Sequence, residues 1–383
     1  MMRAGLRPFL IVGLGLLLPF RAESHGLEFK GLISTWASGR FDKKIQPIWS
    51  LRFIPEFAFS FKAGGSVTID AEVSANSFGT ARFFSGSGIP PKAEIKSYRA
   101  WLRISTSQFE ARAGLQKINF GSASLLRPLM WFDSIDPRDP LQITDGVYAL
   151  LLRYYAVSNA NFWIWGMYGN DKIRGLDIAP PDKKSPEFGG RVQVPLGSGE
   201  LAATYHHRRV DLSPVLLVPA PEPLPSVPED RVGLDGKWDI GVGVWFEGAL
   251  IRQKTTLVPQ PWRRSFNVGL DYTFGLGNGL NALAEHFWLE SSAKAFGPGS
   301  GTSFSALLLR YPVGLLDEVT GIIYYGWKNE NAYRFLNWQR TYDRLTFNLI
   351  LFWNPEEFLV FQGQGSAGSF AGKGFEFLLA YHF

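Results

Sequence analysis

The sequence predicts an all-β chain, a transmembrane antiparallel β-barrel of about 18 strands with short turns at one rim and long loops at the other. Three observations predict it. From His25 onward apolar residues recur mainly with a period of two, and no segment sustains a helical period. The connections between the alternating segments themselves alternate between short and long. The chain opens on a leader-like segment, and nothing after it reaches the roughly 18 consecutive apolar residues of a spanning helix.

Composition narrows the classes. The 383 residues include 31 Phe, 13 Trp, 13 Tyr and 41 Gly, with 19% charged residues and no Cys. Without cysteine there is no disulfide scaffold, thiolate metal site or Cys nucleophile. The aromatic content and sparse charge exclude a disordered chain. Mean hydropathy is −0.02, as expected where one face of each strand meets lipid and the other meets water.

Residues 1–24 read as a secretory signal peptide. Arg3 and Arg7 form a positive start, 9–18 is apolar, and Pro19 and Arg21 end the run. Ala22 and Ser24 put small residues at the −3 and −1 positions of a cleavage site after Ser24. The mature barrel is then 25–383, and its expected location is the bacterial outer membrane.

The strands justify themselves in order. Phe53, Phe57, Phe59 and Phe61 alternate with Glu56, Ala58 and Ser60. Val67, Ile69, Ala71 and Val73 alternate with Thr68, Asp70, Glu72 and Ser74. Tyr98, Ala100, Leu102 and Ile104 share one face, with Ser97, Arg99, Trp101 and Arg103 on the other. Further strands follow, the last four expected at 317–327, 339–353, 356–364 and 372–383. Connections after even-numbered strands are short, among them 106–107, 239–241 and 354–355, and read as periplasmic turns. Those after odd-numbered strands are mostly long, including 78–92, 118–145, 171–186 and 210–229, and read as external loops; 39–44 and 365–371 are shorter. A bilayer admits no open sheet edge, so the sheet must close.

At the end of the chain Phe375, Phe377, Leu379, Tyr381 and Phe383 alternate with Gly374, Glu376, Leu378, Ala380 and His382. This resembles the C-terminal β-signal of bacterial outer-membrane proteins, and the resemblance implies the barrel assembly machinery as a partner. Between Phe109 and Asp145 the chain reads Arg112-x-Gly114-x-Gln116-x-x-x-x-Gly121 and then Asp133-x-x-Asp136-Pro137-x-Asp139-Pro140. That segment resembles the third external loop of porin-like outer-membrane barrels, the alginate-export type among them. The resemblance implies that 118–145 folds into the lumen and narrows it, with Arg127, Asp133, Asp136, Arg138, Asp139 and Asp145 as constriction residues. The residues themselves support inward folding. Leu125, Leu126, Met130, Trp131 and Phe132 make the loop too apolar for water, and long loops are usually functional. The Asp-Pro turns are expected to pin it against wall arginines such as Arg99 and Arg112.

If the apolar parity faces lipid, the opposite parity lines a watery lumen. Its basic side chains include Arg52, Arg99, Arg103, Arg112, Arg153, Arg191, Arg231, Arg263, Arg310, Arg340 and Arg344, and its acidic ones Glu56, Asp70, Glu72, Glu110, Asp235, Glu318 and Glu376. Arginine rings favour anions; the alternative is that the charges pair across strands and set no selectivity. Pore-lining candidates are Arg99, Arg103, Arg112, Gln116 and Arg153 together with the loop residues above.

The expected function is a porin-like channel for passive diffusion of small polar or anionic solutes, not an enzyme and without cofactor or metal. Two alternatives stay open: an exporter of an anionic polysaccharide or hydrophobic compound working with periplasmic partners, and a hydrolase of the barrel wall. The hydrolase requires a Ser or Asp within hydrogen-bond reach of His206, His207 or His286. His206 and His207 are neighbours in a strand and point to opposite faces, so they cannot share a metal. Expected partners are outer-membrane lipid and lipopolysaccharide, the assembly machinery through the Phe383 strand and, left open, further copies of the chain. Nucleic acid is not among them. The proline-rich 213–228 segment reads as a stiff surface loop.

Overall fold

A computed structural model describes residues 26–41, 48–63, 65–82, 92–214, 226–356 and 370–383. The expected signal peptide at 1–24 and most of the proline-rich segment lie outside the described residues.

Among the described residues the chain forms β1 (Leu27–Arg40), β2 (Ile48–Ala63), β3 (Val67–Arg82), β4 (Lys92–Ser105), β5 (Phe109–Gln116), β6 (Val147–Tyr155), β7 (Asn161–Met167), β8 (Glu187–Leu196) and β9 (Gly199–Val210). It continues through β10 (Val227–Asp239), β11 (Gly243–Gln253), β12 (Trp262–Phe274), β13 (Leu280–Ser292), β14 (Gly299–Pro312), β15 (Asp317–Gly326), β16 (Asn331–Thr341), β17 (Leu345–Trp353) and β18 (Lys373–His382). Each strand pairs with its chain neighbours, and β1 pairs with both β2 and β18. The result is a closed 18-stranded antiparallel barrel with no free edge.

At the seam, the Phe383 N–H donates to the Gly31 carbonyl and the Gly31 N–H donates to the Phe383 carbonyl, at 3.2 and 3.0 Å. The Phe383 ring lies 5.4 Å from Phe29 and 6.1 Å from Phe53. The terminal aromatic thus meets the first two strands, where the sheet closes.

Alternation sets the two faces. On β12 Phe266, Val268 and Leu270 are exposed on the outside, while Ser265 and Asn267 are buried on the inside. Exposed apolar side chains continue around the wall, for example Phe57 and Phe59 on β2, Leu307 and Leu309 on β14, and Ile323 on β15. A belt this large is stable only against lipid or another apolar partner.

The structure departs from the sequence reading in three places. The segment 339–353 is two strands, because the chain reverses at 342–344, where the Tyr342 N–H donates to the Leu345 carbonyl at 2.8 Å. Tyr342-Asp343-Arg344 contains no Gly or Pro, the residues that usually punctuate a turn. The strand expected at 356–364 lies, beyond Glu356, outside the described residues, and β17 pairs directly with β18. Residues 354–355 therefore begin the long connection 354–372 and are not a short turn. The third departure is a bulge between β3 and β4: Ser74 pairs with Arg99, but Ala75 pairs with Ser97, leaving Tyr98 over. Lys96 and not Ser97 then shares the inner face with Arg99, since an extra residue inverts the alternation beyond it.

Replacing Phe383 by Ala removes three ring pairs at the seam, with Phe29, Phe53 and Tyr381, worth about 0.5–1.5 kcal/mol each. The unfolding temperature, followed by the heat-dependent gel shift of the purified barrel, is expected to fall; an unchanged midpoint would remove the ring contacts from the account of closure.

Candidate functional site

The connection between β5 and β6 is the starting point. Ile118, Phe120, Leu125, Leu126, Leu129, Trp131 and Phe132 are all buried. Leu125 and Leu126 pack on Phe287, Phe304, Tyr324 and Phe335, inner-face residues of β13 to β16. Ile118, Phe120, Leu129, Trp131 and Phe132 pack on Val147, Leu151, Trp165 and Ala249 of β6, β7 and β11. The segment therefore reaches wall strands on the far side of the strand order.

A chain segment removed from water needs acceptors for its backbone N–H groups. Two wall carboxylates supply them. Glu285 on β13 accepts from the backbone N–H groups of Ser124, Leu125 and Leu126 at 2.6, 3.1 and 2.7 Å. Asn267 on β12 donates to both the Leu126 carbonyl and Glu285. Glu247 on β11 accepts from the N–H groups of Ala123 and Leu129. Glycine makes this approach possible. Gly121 has φ +100°, and a Cβ there would lie 2.3 Å from a Glu247 carboxylate oxygen. Gly114, at φ +120°, would place a Cβ 2.2 Å from the Ala100 carbonyl. Gln116 ends β5 by donating to the carbonyls of Arg112 and Ala149. The residues of the Arg112-x-Gly114-x-Gln116-x-x-x-x-Gly121 pattern thus have local structural reasons.

The 168–186 connection joins the first loop. The Gly175 N–H donates to Ser134 Oγ at 3.3 Å, and the Arg174 guanidinium donates to the Gly146 carbonyl. Leu176 packs against the same apolar wall as Leu125. Asp177 accepts from Arg208 at 2.9 Å and Arg231 at 2.7 Å, with Arg263 3.5 Å away. Glu229 takes further hydrogen bonds from Arg208, Arg231 and Gln253. Between the two loops and the wall, Leu126, Arg127, Met130, Phe287, Phe304 and Lys328 border a cavity of about 340 Å³.

No protein-family model matches the chain, and no curated protein sequence matches it. Solved structures do. OccAB4 of Acinetobacter baumannii superposes with a TM-score of 0.57 at 9% identity, over 94% of this chain and 99% of that one. OccAB1 of the same organism gives 0.56 at 10% identity, over 94% and 95%. The outer membrane channel DcaP of A. baumannii gives 0.51 at 10% identity, over 95% and 99%. The chain has the fold of outer-membrane channels.

Within that fold the expected site residues separate into two groups. Arg103, Arg112 and Arg153 stand on the inner wall. Arg103 forks onto Asp70 at 3.0 and 2.8 Å. Glu110 lies 3.0 Å from Arg112 and 3.7 Å from Arg153. Arg112 and Arg153 also cover the rings of Trp101 and Trp163. Arg99 is buried and donates to the Thr144 carbonyl at 3.0 Å. The rest fasten the loop to itself, to the wall or to the second loop. Arg127 forks onto Asp133 at 2.9 and 3.2 Å and donates to the Phe120 carbonyl. Arg138 forks onto Asp136 and lies over the rings of Phe335 and Phe370. Asp139 accepts from the Leu141 N–H, and burial pushes its carboxyl up from the ordinary aspartate range. Asp145 sits between Lys96 at 2.7 Å and Lys172 at 2.7 Å. Burial opposes its charge, but the two ammonium groups outweigh burial and hold its pKa down.

The loop is therefore not pinned by its aspartates against Arg99 and Arg112. It is held by wall glutamates that accept from its backbone. Arg340, expected in the lumen, pairs instead with Asp317 on the outer parity of β15 and β16, and Arg344 lies in the 342–344 turn. Sequence reasoning missed Glu247, Glu285, Glu229, Arg208 and Asp177. The available signal was a lone carboxylate within an otherwise apolar run, as at Trp245-Phe246-Glu247-Gly248-Ala249.

The histidines divide by face. Buried His206 lies 3.2 Å from Trp165 Nε1 and 3.2 Å from Glu187 inside, and His207 lies 2.7 Å from Asp230 outside. His286 lies 3.0 Å from Ser305 on the outer wall, and Trp327 donates to the same hydroxyl.

Replacing Glu285 and Glu247 by Ala leaves buried N–H groups without acceptors, at about 1–3 kcal/mol each. Trypsin is then expected to cut after Arg138 in the folded barrel while sparing the parent; equal resistance would show that the carboxylates do not hold the loop. The Asp145 anchor has its own pH signature. Its depressed pKa means that its contribution is complete above the ordinary aspartate value and is lost as pH falls through the lower folded-state value. Loop protection from a protease active in acid should fall at pH below the ordinary aspartate range, and Asp145→Asn should abolish that step.

Proposed function

We propose that the chain is an outer-membrane channel for passive diffusion of small polar solutes, with a modest preference for anions, and that the 118–145 loop narrows its lumen. The observation that carries this reading is the backbone grip of Glu247 and Glu285 on the loop. It draws the loop toward β11 and β13, away from the partly exposed charged residues on the inner face of β2 to β6. Inner residues of β9 to β13 such as Arg231, Glu229, Glu247 and Asn267 are buried. Arg103 and Glu56, by contrast, keep about a third and a quarter of their side chains exposed. Solutes would pass along that side, between the loop and Tyr98, Trp101, Arg103, Arg112 and Arg153.

Charge supports the preference. Along β4 to β6 Arg99, Arg103, Arg112, Arg153 and neighbouring Lys117 face Asp70, Glu72 and Glu110. Most of the carboxylate charge is taken up in pairs, while Arg52, Arg99 and Lys117 have no carboxylate in ion-pair reach among the described residues. Buried Asp139 and Glu376 lie close enough to Arg52 to interact with it electrostatically, beyond ion-pair distance. Unpaired arginines in a narrow, weakly solvated path draw anions.

The channel reading is non-enzymatic. His286 and Ser305 are within hydrogen-bond reach, yet among the described residues no carboxylate orients the ring's other nitrogen, as a serine nucleophile requires. The likeness to alginate-export barrels rests on the Arg112 to Pro140 residues alone. The two loops packed inside the barrel favour small solutes over an extended polymer. A location in the outer membrane, with the long connections outside, follows from the apolar belt and the leader. Assembly through the Phe383 strand and association of several copies belong to the same reading.

Planar-bilayer recording tests it. The purified barrel is expected to conduct, with a reversal potential on the anion side. Deleting 125–140 should raise conductance severalfold, and Arg103→Ala with Arg112→Ala should move the reversal potential toward cation preference. Absence of conductance in both the parent and the deletion would overturn the channel, and unchanged conductance in the deletion would remove the loop as its constriction.

A further inference from the structure

The outer wall changes character abruptly near the rim with the long connections. On β12 Phe266, Val268 and Leu270 are exposed and apolar, and the next outward residues toward that rim are Arg264 and Trp262. On β11 outward Leu250 is followed by Arg252. Cross-strand register sets His207, Asp230, Arg252 and Trp262 in one row across β9 to β12. Within that row Asp230 is already occupied. It accepts from Lys254 at 2.6 Å and Tyr205 at 2.9 Å, and His207 lies 2.7 Å away.

Arg252 is different. It is exposed, its guanidinium lies 5.0 Å above the Trp262 ring, and it has no carboxylate in ion-pair reach among the described residues. Lys254, two residues on, keeps 48% of its side chain exposed although it pairs with Asp230. Two accessible cations on a lipid-facing wall, beside a tryptophan, mark the depth where head groups begin.

A second feature of the same wall points to a lipid and not to a free ion. A shallow groove of about 460 Å³ runs over β12 to β15, floored by Gly269 and Ala284 and bordered by Val268, Leu270, Leu307 and Ile323. His286 and Ser305 stand within it as a polar pair. By register the groove begins at Val268, six residues down β12 from Trp262, so a cationic row near the rim and an apolar trough nearer mid-wall share this face as a head group and an acyl chain would.

We propose that this face holds a lipid whose head group carries anionic phosphate, with the phosphate on Arg252 and Lys254 and an acyl chain in the β12–β15 groove. A planar guanidinium offers a phosphate two parallel N–H donors, and the adjacent ammonium adds a point charge. The inference rests on the reading of the barrel as membrane-spanning, but it does not depend on the channel conducting.

The test is native mass spectrometry of the full-length barrel in detergent, titrated with diphosphoryl lipid A and with the same lipid lacking its phosphates. Preferential retention of the phosphorylated lipid is expected. The Arg252→Ala, Lys254→Ala double variant should weaken retention about twenty-fivefold, at about fivefold per basic residue near an anionic head group. Arg334→Ala, an exposed cation on the outer parity of β16, should leave retention unchanged. Equal retention of the two lipids, or no loss in the double variant, overturns the proposal. So does a mass showing only lipid-free oligomers, which would mean that a second copy covers this face. Conductance of the double variant separates this inference from the channel reading: lost lipid with parental conductance supports the site, and a non-conducting parent that retains the lipid sinks the channel alone.

Discussion

The interior of this barrel depends on carboxylates that accept hydrogen bonds from backbone. A loop that enters the lumen gives up the water that would otherwise satisfy its N–H groups, and burying a carboxylate is also costly. Each cost is large alone. Brought together each offsets part of the other: Glu285 receives three successive N–H groups and Glu247 two. The apolar side chains around them then close the gap to the wall. The same logic governs the wall, where every strand has two partners and β1 meets β18. In lipid no backbone group can be left to solvent, and in the lumen few are.

This arrangement divides the inner surface by chemistry. From β13 to β17 an apolar cluster of Phe287, Phe304, Tyr324 and Phe335 carries Leu125, Leu126 and Leu176 of the inward loops. From β8 to β12 it is an ionic core in which Arg191, Arg208 and Arg231 meet Asp235, Asp177 and Glu229. Such buried ion networks add little net stability over well-packed apolar residues, but losing one partner strands a charge. They bind Asp177, and with it the second loop, to the wall. On β2 to β6 charges pair across neighbouring strands and remain partly exposed.

Much of the fold was legible because strand alternation is local. Phe53 to Phe61, or Val67 to Val73, announce their outer face without reference to any other strand. The errors arose where local signals were missing. The reversal at 342–344 carries neither Gly nor Pro, so two strands read as one. The bulge at Tyr98 adds a residue without any change in composition, so Lys96 and Ser97 exchanged faces. Within the candidate site the Arg112 to Asp145 segment stood out by its glycines, aromatics and Asp-Pro steps. Glu247 and Glu285 did not, because a single Glu in an apolar strand looks the same whether it faces water, an arginine or a loop backbone.

The sequence by itself determined the class of the protein. Period-two alternation, sorted connection lengths and a terminal aromatic strand each follow from the physics of a wall with lipid on one side. That constraint acts on every strand and so is written repeatedly along the chain. Only the tertiary structure decided where the loop is held and which charged residues find partners. Those outcomes depend on contacts between Ser124 and Glu285, or Asp177 and Arg231, that lie far apart in the chain. Backbone N–H groups take no side-chain identity, so the partners of Glu247 and Glu285 leave no mark in the sequence.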